Sequence, residues 1–239
     1  MPPIPYCGAP PPPGGVTWNF DPVLIVVLLA CGAAIAWGER GRRRELALAG
    51  WALASFLLVS PLCNLSVALF SARVAQHLAL ILLAAPLLSF AAGPRRDWGG
   101  LGPATLLFAG ALWIWHLPGP YLATFASHAA YWAMQASLLG TATWLWAALR
   151  GALRERPEAA FLAVLATAAQ MAPLGALLTL SPRPFFAEAH RQAVTLPWGL
   201  TPLEDQQLGG LLMWVPGGLL LVLGCVACLA VFLRPRATG

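Results

Sequence analysis

The chain has 239 residues, of which 59% are hydrophobic and only 10% are charged, whereas a soluble domain carries about 25% charged residues. So few charged side chains cannot cover the surface of a water-soluble domain, and the composition therefore points to the lipid bilayer as the solvent. The net charge is +5, but the arginines form short groups between apolar runs, which argues against a nucleic-acid-binding surface.

The first fifteen residues, MPPIPYCGAPPPPGG, are rich in proline and glycine, and we predict no regular structure for them. They have neither the basic start nor the apolar core of a cleavable signal peptide, so the first apolar run is expected to act as its own insertion signal. We assign residues 1–19 to a Pro/Gly-rich periplasmic arm, 20–233 to a helical membrane domain and 234–239 to a short cytoplasmic tail.

Seven apolar runs follow the arm, and a span needs about 20 apolar residues. The predicted spans are 20–38, 46–62, 72–92, 102–118, 125–149, 158–180 and 204–233. Eleven arginines fall at one side of these spans and three at the other. Because cytoplasmic loops carry the excess of basic residues, we predict an all-α protein with seven transmembrane helices, its N-terminus outside and its C-terminus in the cytoplasm.

All four histidines and two of the five cysteines fall on the predicted outer side. They are His77, His116, His128 and His190, with Cys7 and Cys63. Imidazoles and thiols on one side of a membrane suit a transition metal, and the softer sulfur ligands favour copper(I). The alternative is that these side chains cap helices and wet an interface. The other cysteines fall within spans and are interpreted as packing residues.

Polar residues repeat on one face near the outer ends of two spans. They are Arg73, Gln76 and His77 in the third span and His128, Tyr131 and Gln135 in the fifth. Spacings of three, four and seven residues share a helix face, and polar groups in a membrane turn toward the bundle interior. We therefore predict that His77, His116 and His128 converge in one outer basin of the bundle.

Sulfur ligands add two open alternatives. Met134, Met171 and Met213 fall at similar depth and could form a soft-metal layer, although methionine is also a routine packing residue. Cys7 and Cys63 share the oxidising side of the membrane, where disulfides persist. They either pair and pin the arm to the bundle or stay reduced and offer thiolates to copper. Pairing requires Cα atoms within about 7 Å of each other.

The last span opens with TPLEDQQLGG. Thr201 suits the N-cap, Pro202 the first helical position and Glu204 the third, a capping box with an N-terminal proline. Both Glu204 and Asp205 also meet the positive end of the helix dipole.

The capping box does not account for Asp205, Gln206 and Gln207 together. Surplus polarity at the mouth of a bundle is costly unless it meets water, metal or a partner, which favours a role of this motif in function. A stripe at i, i+4, i+7 and i+11 follows, made of Gln206, Gly210, Met213 and Gly217. Glycines on such a stripe let another helix approach closely, so we predict a packing seam.

Motifs of nucleotide-binding, zinc-protease and serine-hydrolase sites are missing from the sequence, and no enzymatic activity is expected. The segment LTPLEDQQLGGLLMWVPGG instead resembles the signature of the CtaG-type cytochrome c oxidase assembly proteins, a seven-span bacterial family. YCGAPPPPG, WNFDP, SPLCNLSVALFSARVAQHLALILLAAPLL, WIWHLPGPY and SHAAYWAMQASLLG extend the similarity over most of the chain.

The resemblance implies a bacterial inner-membrane protein that helps mature haem–copper oxidases, commonly through copper insertion into the catalytic subunit. Its expected partners are oxidase subunits and membrane lipid, not nucleic acid. Many members carry a histidine where this chain has Arg73 and a Glu-His pair where it has Tyr131 and Trp132. These departures imply either a depleted metal site, with Cys7 or Cys63 compensating, or lost metal binding.

Two other functions stay open at this stage. One is a permanent accessory or scaffold subunit of the oxidase with no metal role. The other is a copper transporter, which is disfavoured because the inner halves of the spans offer few polar groups for a path across the membrane.

Overall fold

The computed structural model describes residues 4–92 and 100–233, and within them every regular element is helical. The predicted all-α class is thereby confirmed. The predicted tail, 234–239, lies outside the described residues. So do four of the arginines used for the orientation, Arg95, Arg96, Arg234 and Arg236.

The helices follow one another with short breaks. They are α1 (Pro22–Gly38), α2 (Gly41–Val59), α3 (Pro61–Ala68), α4 (Phe70–Ala79), α5 (Ala85–Leu88), α6 (Leu101–Trp115), α7 (Pro118–Ala126), α8 (His128–Glu155), α9 (Pro157–Leu180), α10 (Gln192–Thr195), α11 (Pro202–Leu212) and α12 (Gly218–Phe232). Two π-helical turns, Leu80–Ala84 and Met213–Gly217, join α4 to α5 and α11 to α12, and short 3-10 turns span Ser89–Ala92 and Leu196–Trp198.

Among the described residues, three helical segments are long and apolar enough to cross a membrane. They are Phe70–Ala91, Pro157–Leu180 and Pro202–Phe232. Two bent pairs, α2 with α3 and α6 with α7, raise this number to five if each pair is one span. Each of the seven predicted runs coincides with a helix, but α1 is apolar over only 17 residues. The seven-span count and the orientation stay predictions.

Prolines cause both bends. The α2–α3 pair bends by 50° before Pro61 and the α6–α7 pair by 73° before Pro118. Proline suits the first position of a new helix, where its missing N–H is not needed, but it cannot continue the preceding helix. The sequence correctly predicts the stop at Pro118 but not the short helices α3 and α7 that follow the two breaks.

Pro86 accounts for the π-helical turn between α4 and α5. The Ala85 N–H donates to the Leu80 carbonyl, five residues back. If this five-residue spacing continued, residue 86 would donate to the Ile81 carbonyl. Residue 86 is proline, which has no N–H, so that carbonyl needs another donor. The indole of Trp146 in α8 donates to the Ile81 carbonyl instead, at 2.9 Å. An α8 side chain thus completes the backbone hydrogen bonding of this segment.

Residues 4–19, the described part of the arm, contain no helix or strand, yet they are held against the bundle. Cys7 forms a disulfide with Cys63 of α3, with their Cα atoms 5.5 Å apart. Asn64 donates its side-chain amide to the carbonyls of Cys7 and Ala9, at 2.8 and 3.0 Å. Of the two alternatives for Cys7 and Cys63, a disulfide or a pair of free thiols, the structure contains the disulfide.

The opposite end of the bundle is held by arginine. Arg43 donates to the Phe90 carbonyl at 3.1 Å, and Arg150 donates to the Ser89 carbonyl while its guanidinium lies over the Phe90 ring. Cations at a helix C-terminus meet both its free carbonyls and its negative dipole end.

Candidate functional site

The candidate site is a buried polar layer around the break between α3 and α4, at the end of the bundle that carries the arm. Leu69 is extended there, so the last carbonyls of α3 and the first N–H groups of α4 have no partner within their own helices. In a membrane every such group needs a partner inside the protein. Side chains from the distant segments 181–201 and 202–212 supply several of these partners.

Asp205 caps the start of α4. Its Oδ2 accepts from the Phe70 N–H at 2.6 Å, and its Oδ1 accepts from the Ser71 N–H at 3.0 Å and the Ser71 hydroxyl at 2.5 Å. The carboxylate is fully buried and lies at the positive end of the α4 dipole. It does for α4 what an N-cap residue does locally, across 135 residues of sequence.

His190 caps the other side of the break. Its Nδ1 lies 3.0 Å from the Ala68 carbonyl oxygen and its Nε2 lies 2.7 Å from the Tyr121 hydroxyl. A carbonyl only accepts, so Nδ1 carries the hydrogen, and Nε2 of the neutral ring accepts from Tyr121. Burial, reinforced by the charge of Arg73, lowers the pKa of His190 to about 3, which keeps the ring neutral at ordinary pH.

Gln206 closes the end of α9. Its Oε1 accepts from the Phe185 N–H at 2.5 Å, and its Nε2 donates to the carbonyls of Leu178 and Arg183, each at 3.3 Å. The side chain is 1% exposed. From the sequence, the polar side chains of the motif were expected to meet water, metal or a partner. In the structure, Asp205 and Gln206 instead form hydrogen bonds with backbone groups of the same chain.

The capping box of α11 is confirmed. The Thr201 N–H donates to Glu204 Oε2 at 2.7 Å, and the Glu204 N–H donates to Thr201 Oγ1 at 3.2 Å. Gln207 is only half-buried, and its side-chain amide makes a long contact of 3.5 Å with the Ser181 carbonyl. Within the motif, Asp205 and Gln206 are thus the members most tightly bound to other segments.

Asp205 contacts α4 and Gln206 contacts α9. One turn further on, the adjacent residues Gly209 and Gly210 contact the same two helices. A Cβ at Gly209 would lie 2.5 Å from the Phe70 ring of α4. A Cβ at Gly210 would lie 2.7 Å from the Thr179 nitrogen and 2.8 Å from the Gly175 oxygen of α9. All three distances are shorter than real Cβ contacts. Only glycine lets α11 lie this close to two helices at once.

The motif therefore presents two neighbouring stripes. Asp205 and Gly209 face α4, and Gln206 and Gly210 face α9. The second stripe continues as predicted, because Met213 is buried and a Cβ at Gly217 would lie 2.9 Å from the Met171 methyl group. The predicted seam is confirmed, and the structure adds the stripe toward α4.

Arg73 lies fully inside the layer. Its Nη1 donates to Thr124 Oγ1 at 2.7 Å and its Nε to the Ser66 carbonyl at 3.3 Å. Its guanidinium carbon lies 5.0 Å from the Tyr121 ring centre and 4.2 Å from that of Phe125. No carboxylate of the described residues forms an ion pair with it. The layer thus contains a buried cation that aromatic rings and oxygen dipoles compensate.

The structure gives the three predicted histidines different surroundings, and their convergence in one basin stays a prediction. The Nε2 of His77 is buried and has no hydrogen-bond partner. The Nδ1 of His116 lies 2.7 Å from the Leu112 carbonyl. His128 is exposed and lies under the arm instead, 3.2 Å from the Ile4 carbonyl. His190, which the sequence placed only in an outer loop, belongs to the layer.

The remaining candidates are buried side chains. Gln76 donates to the Leu57 carbonyl at 2.7 Å and Gln135 to the Tyr131 hydroxyl at 3.0 Å, while the side-chain oxygen of each is buried without a partner. The methionines are buried in the main apolar core, at positions Met134, Met171 and Met213. The described residues contain no group of three or more His, Cys, Asp or Glu that could hold a metal ion.

A model of a protein family, described as cytochrome c oxidase caa3 assembly factor (Caa3_CtaG), matches residues 102–235. The match covers more than half of the chain and includes His116, His128, His190 and the stripes of α11. It does not extend to Cys7 or to the segment 61–79. No curated protein and no solved structure matches the chain.

Proposed function

Because the chain belongs to the cytochrome c oxidase caa3 assembly factor family, we propose that it is a bacterial inner-membrane protein that assists the maturation of a haem–copper cytochrome c oxidase. Its partners are subunits of that oxidase, which it meets within the membrane. The family match over residues 102–235 is the observation that carries this proposal.

The polar layer supports a holding role more than a reaction. The side chains of Asp205 and Gln206 direct all of their described hydrogen bonds to α4, to α9 and to the segment after α9. A carboxylate and an amide engaged in this way position helices and are not free to attack or protonate a substrate. We propose that the motif sets the relative position of three spans, on which the surface offered to the oxidase depends.

Copper insertion is the finer part of the proposal, and His77 and His116 support it. The Nε2 of His77 is buried without a partner, and Nδ1 of His116 is engaged by a carbonyl, which leaves Nε2 of that ring as the nitrogen with a free lone pair. Imidazole nitrogens suit copper. Two such donors leave room for a third ligand from the partner that receives the ion, as a handover requires.

Deletion of the gene tests the function and its copper part separately. We expect the deletion strain to contain the catalytic subunit of the oxidase but to show reduced oxidase activity and less copper per purified oxidase. Reintroduced His77→Ala and His116→Ala should restore protein level but not copper content. The matched control is His128→Ala, since His128 is exposed under the arm. Normal oxidase activity in the deletion strain would refute the assembly role.

The second candidate is a permanent accessory subunit with no metal role, which is favoured by the lack of a three-ligand group among the described residues. Purification of the mature oxidase separates the two candidates. An accessory subunit copurifies in equal amount with the active enzyme, whereas an assembly factor is recovered mainly with oxidase that lacks copper.

The orientation is testable by reporter fusion. A reporter after Gly239 is expected in the cytoplasm and one within residues 183–200 in the periplasm, because eleven of the fourteen arginines fall on the first side. The reverse result would place the polar layer at the cytoplasmic face and remove its contact with the oxidising compartment.

A further inference from the structure

Two hydrogen-bond donors lie against the sulfur atoms of the Cys7–Cys63 pair. The Tyr131 hydroxyl oxygen is 3.3 Å from Cys7 Sγ and 3.6 Å from Cys63 Sγ, and the Asn19 side-chain nitrogen is 3.8 Å from Cys63 Sγ. The Tyr131 hydroxyl already accepts from Gln135, so its own hydrogen is left for sulfur. Sulfur in a disulfide is a weak acceptor, whereas hydrogen bonds to an ionised acceptor are roughly twice as strong as neutral ones. These donors therefore stabilise thiolates more than they stabilise the disulfide.

The charge around the cysteine pair also favours thiolates over the disulfide. Arg73 is buried, forms no ion pair with the described carboxylates, and donates to the carbonyl of Ser66, three residues after Cys63. A nearby positive charge favours an anion, and thiolates at this position would supply one. The two donors and the positive charge thus suit a thiolate at this position more than they suit the disulfide.

We propose that Cys7 and Cys63 form a redox-controlled site for one copper(I) ion. As a disulfide the pair fixes the arm, and as a dithiol it binds the ion. Thiolates are the protein ligands that select soft, monovalent copper. The inference rests on the proposed function, since it assigns the metal to an oxidase assembly factor, but both cysteines lie outside residues 102–235 and the family match does not bear on them.

Reduction requires an external dithiol reductant. One of its thiolates attacks a sulfur of the pair, forms a mixed disulfide and releases the other cysteine. Its second thiol then closes the disulfide of the reductant and releases the remaining cysteine. Two electrons and two protons pass to the pair in total, which leaves Cys7 and Cys63 as thiols. Their protons are lost when copper(I) binds.

The arm controls access to the pair. Cys7 is 5% exposed and Cys63 is completely buried, so a reductant reaches the sulfurs only after the arm lifts. Asn64 holds the arm by donating to the carbonyls of Cys7 and Ala9 and by accepting from the Thr17 N–H at 3.2 Å. Removal of these few hydrogen bonds should open the arm without changing either sulfur ligand.

Copper(I) titration of the purified full chain in detergent, without oxygen and against a chelator of known affinity, tests the site. The matched background replaces the other three cysteines, Cys31→Ala, Cys225→Ala and Cys228→Ala. After treatment with dithiothreitol we expect one copper(I) per chain in this background and two newly reactive thiols. The unreduced protein should bind at least tenfold less copper. Equal copper binding after addition of Cys7→Ala and Cys63→Ala would overturn the proposal, as would a pair that no dithiol reduces in the folded protein.

A second variant covers the possibility that loss of the disulfide disrupts folding. Asn64→Ala keeps both cysteines, and we expect its pair to be reduced several times faster than that of the parent at a temperature where both proteins stay folded. An unchanged rate would refute control by the arm. In cells, normal oxidase activity with Cys7→Ala and Cys63→Ala, beside its loss on deletion of the gene, would reject the copper site but leave the assembly function in place.

Discussion

The two halves of the last helical segment are held in different ways. In the first half, α11, two polar side chains and two glycines attach the helix to α4 on one side and α9 on the other. In the second half, α12, long apolar side chains such as Leu219, Val222 and Leu223 are each more than half exposed. The first half has specific protein partners, whereas much of the second half presents a surface suited to lipid.

The comparison shows what determines position inside a membrane. Apolar side chains gain little by leaving lipid for another helix, so close packing and hydrogen bonds must decide where a span sits. In α11 the two contributions lie one turn apart. Positions 205 and 206 supply the hydrogen bonds, and positions 209 and 210 supply the close packing. The π-helical turn Met213–Gly217, at Pro216, separates the two halves.

Gly210→Leu should have the largest effect, because it disrupts the packing of α11 against α9. The new side chain meets backbone atoms of Thr179 and Gly175, which cannot move aside as a flexible side chain could. Overpacking costs about 1–3 kcal/mol, and more where the backbone must shift, so we expect little folded protein in the membrane by blot. Gly218→Leu is the matched control, because nothing lies within 4 Å of a Cβ there. Equal levels of both variants would contradict the close approach of α9.

Asp205→Ala should have the next largest effect. It leaves two buried backbone N–H groups of α4 without an acceptor, and hydrogen bonds to charged groups contribute about 1.5–3 kcal/mol. We expect a clearly lower melting temperature in detergent and a lower protein level. Asp205→Asn, which can still cap a helix, should lose less. Glu204→Gln is the exposed neighbour for comparison, and a loss there as large as in Asp205→Ala would show that the cap of α4 is unimportant.

Gln206→Leu should cost somewhat less. At an average of about 0.6 kcal/mol per hydrogen bond between spans, its three bonds amount to about 2 kcal/mol. We therefore expect measurable destabilisation by thermal unfolding, whereas Gln207→Leu, with its single long contact, should be nearly neutral. If Gln206→Leu instead leaves the protein abundant and stable while oxidase activity falls, the motif acts on the oxidase directly.

His190 predicts an effect on stability that depends on pH. An unfolded histidine titrates near pH 6.5, and the pKa of His190 in the folded chain is about 3. Protons therefore bind the unfolded chain more readily, so this contribution to stability is complete above about pH 6.5 and is lost as the pH falls toward 3. Thermal unfolding of wild type and His190→Gln over this range measures it. The variant should show the weaker pH dependence, and equal slopes would contradict a neutral, buried His190.

Local signals explain which parts of this structure could be predicted. The apolar runs, the stop at Pro118 and the capping box of Thr201 and Glu204 depend on residues within one or two helical turns, and all three are found. The seam of Gly210 and Gly217 also follows from helical periodicity. The short helix α3 was missed because it is too short to show a periodic pattern, and its boundary at Leu69 contains neither proline nor glycine.

The sequence by itself determined the all-helical class, the membrane as solvent and the family, because composition, periodicity and a contiguous motif are properties of neighbouring residues. Only the tertiary structure decided what the polar residues do. Asp205 meets Phe70 and Ser71 across more than 130 residues, and His190 meets Ala68 across 122. Such partners are chosen by unsatisfied backbone groups at a helix break, which cannot stay unpaired in lipid and which no local pattern assigns to a distant side chain.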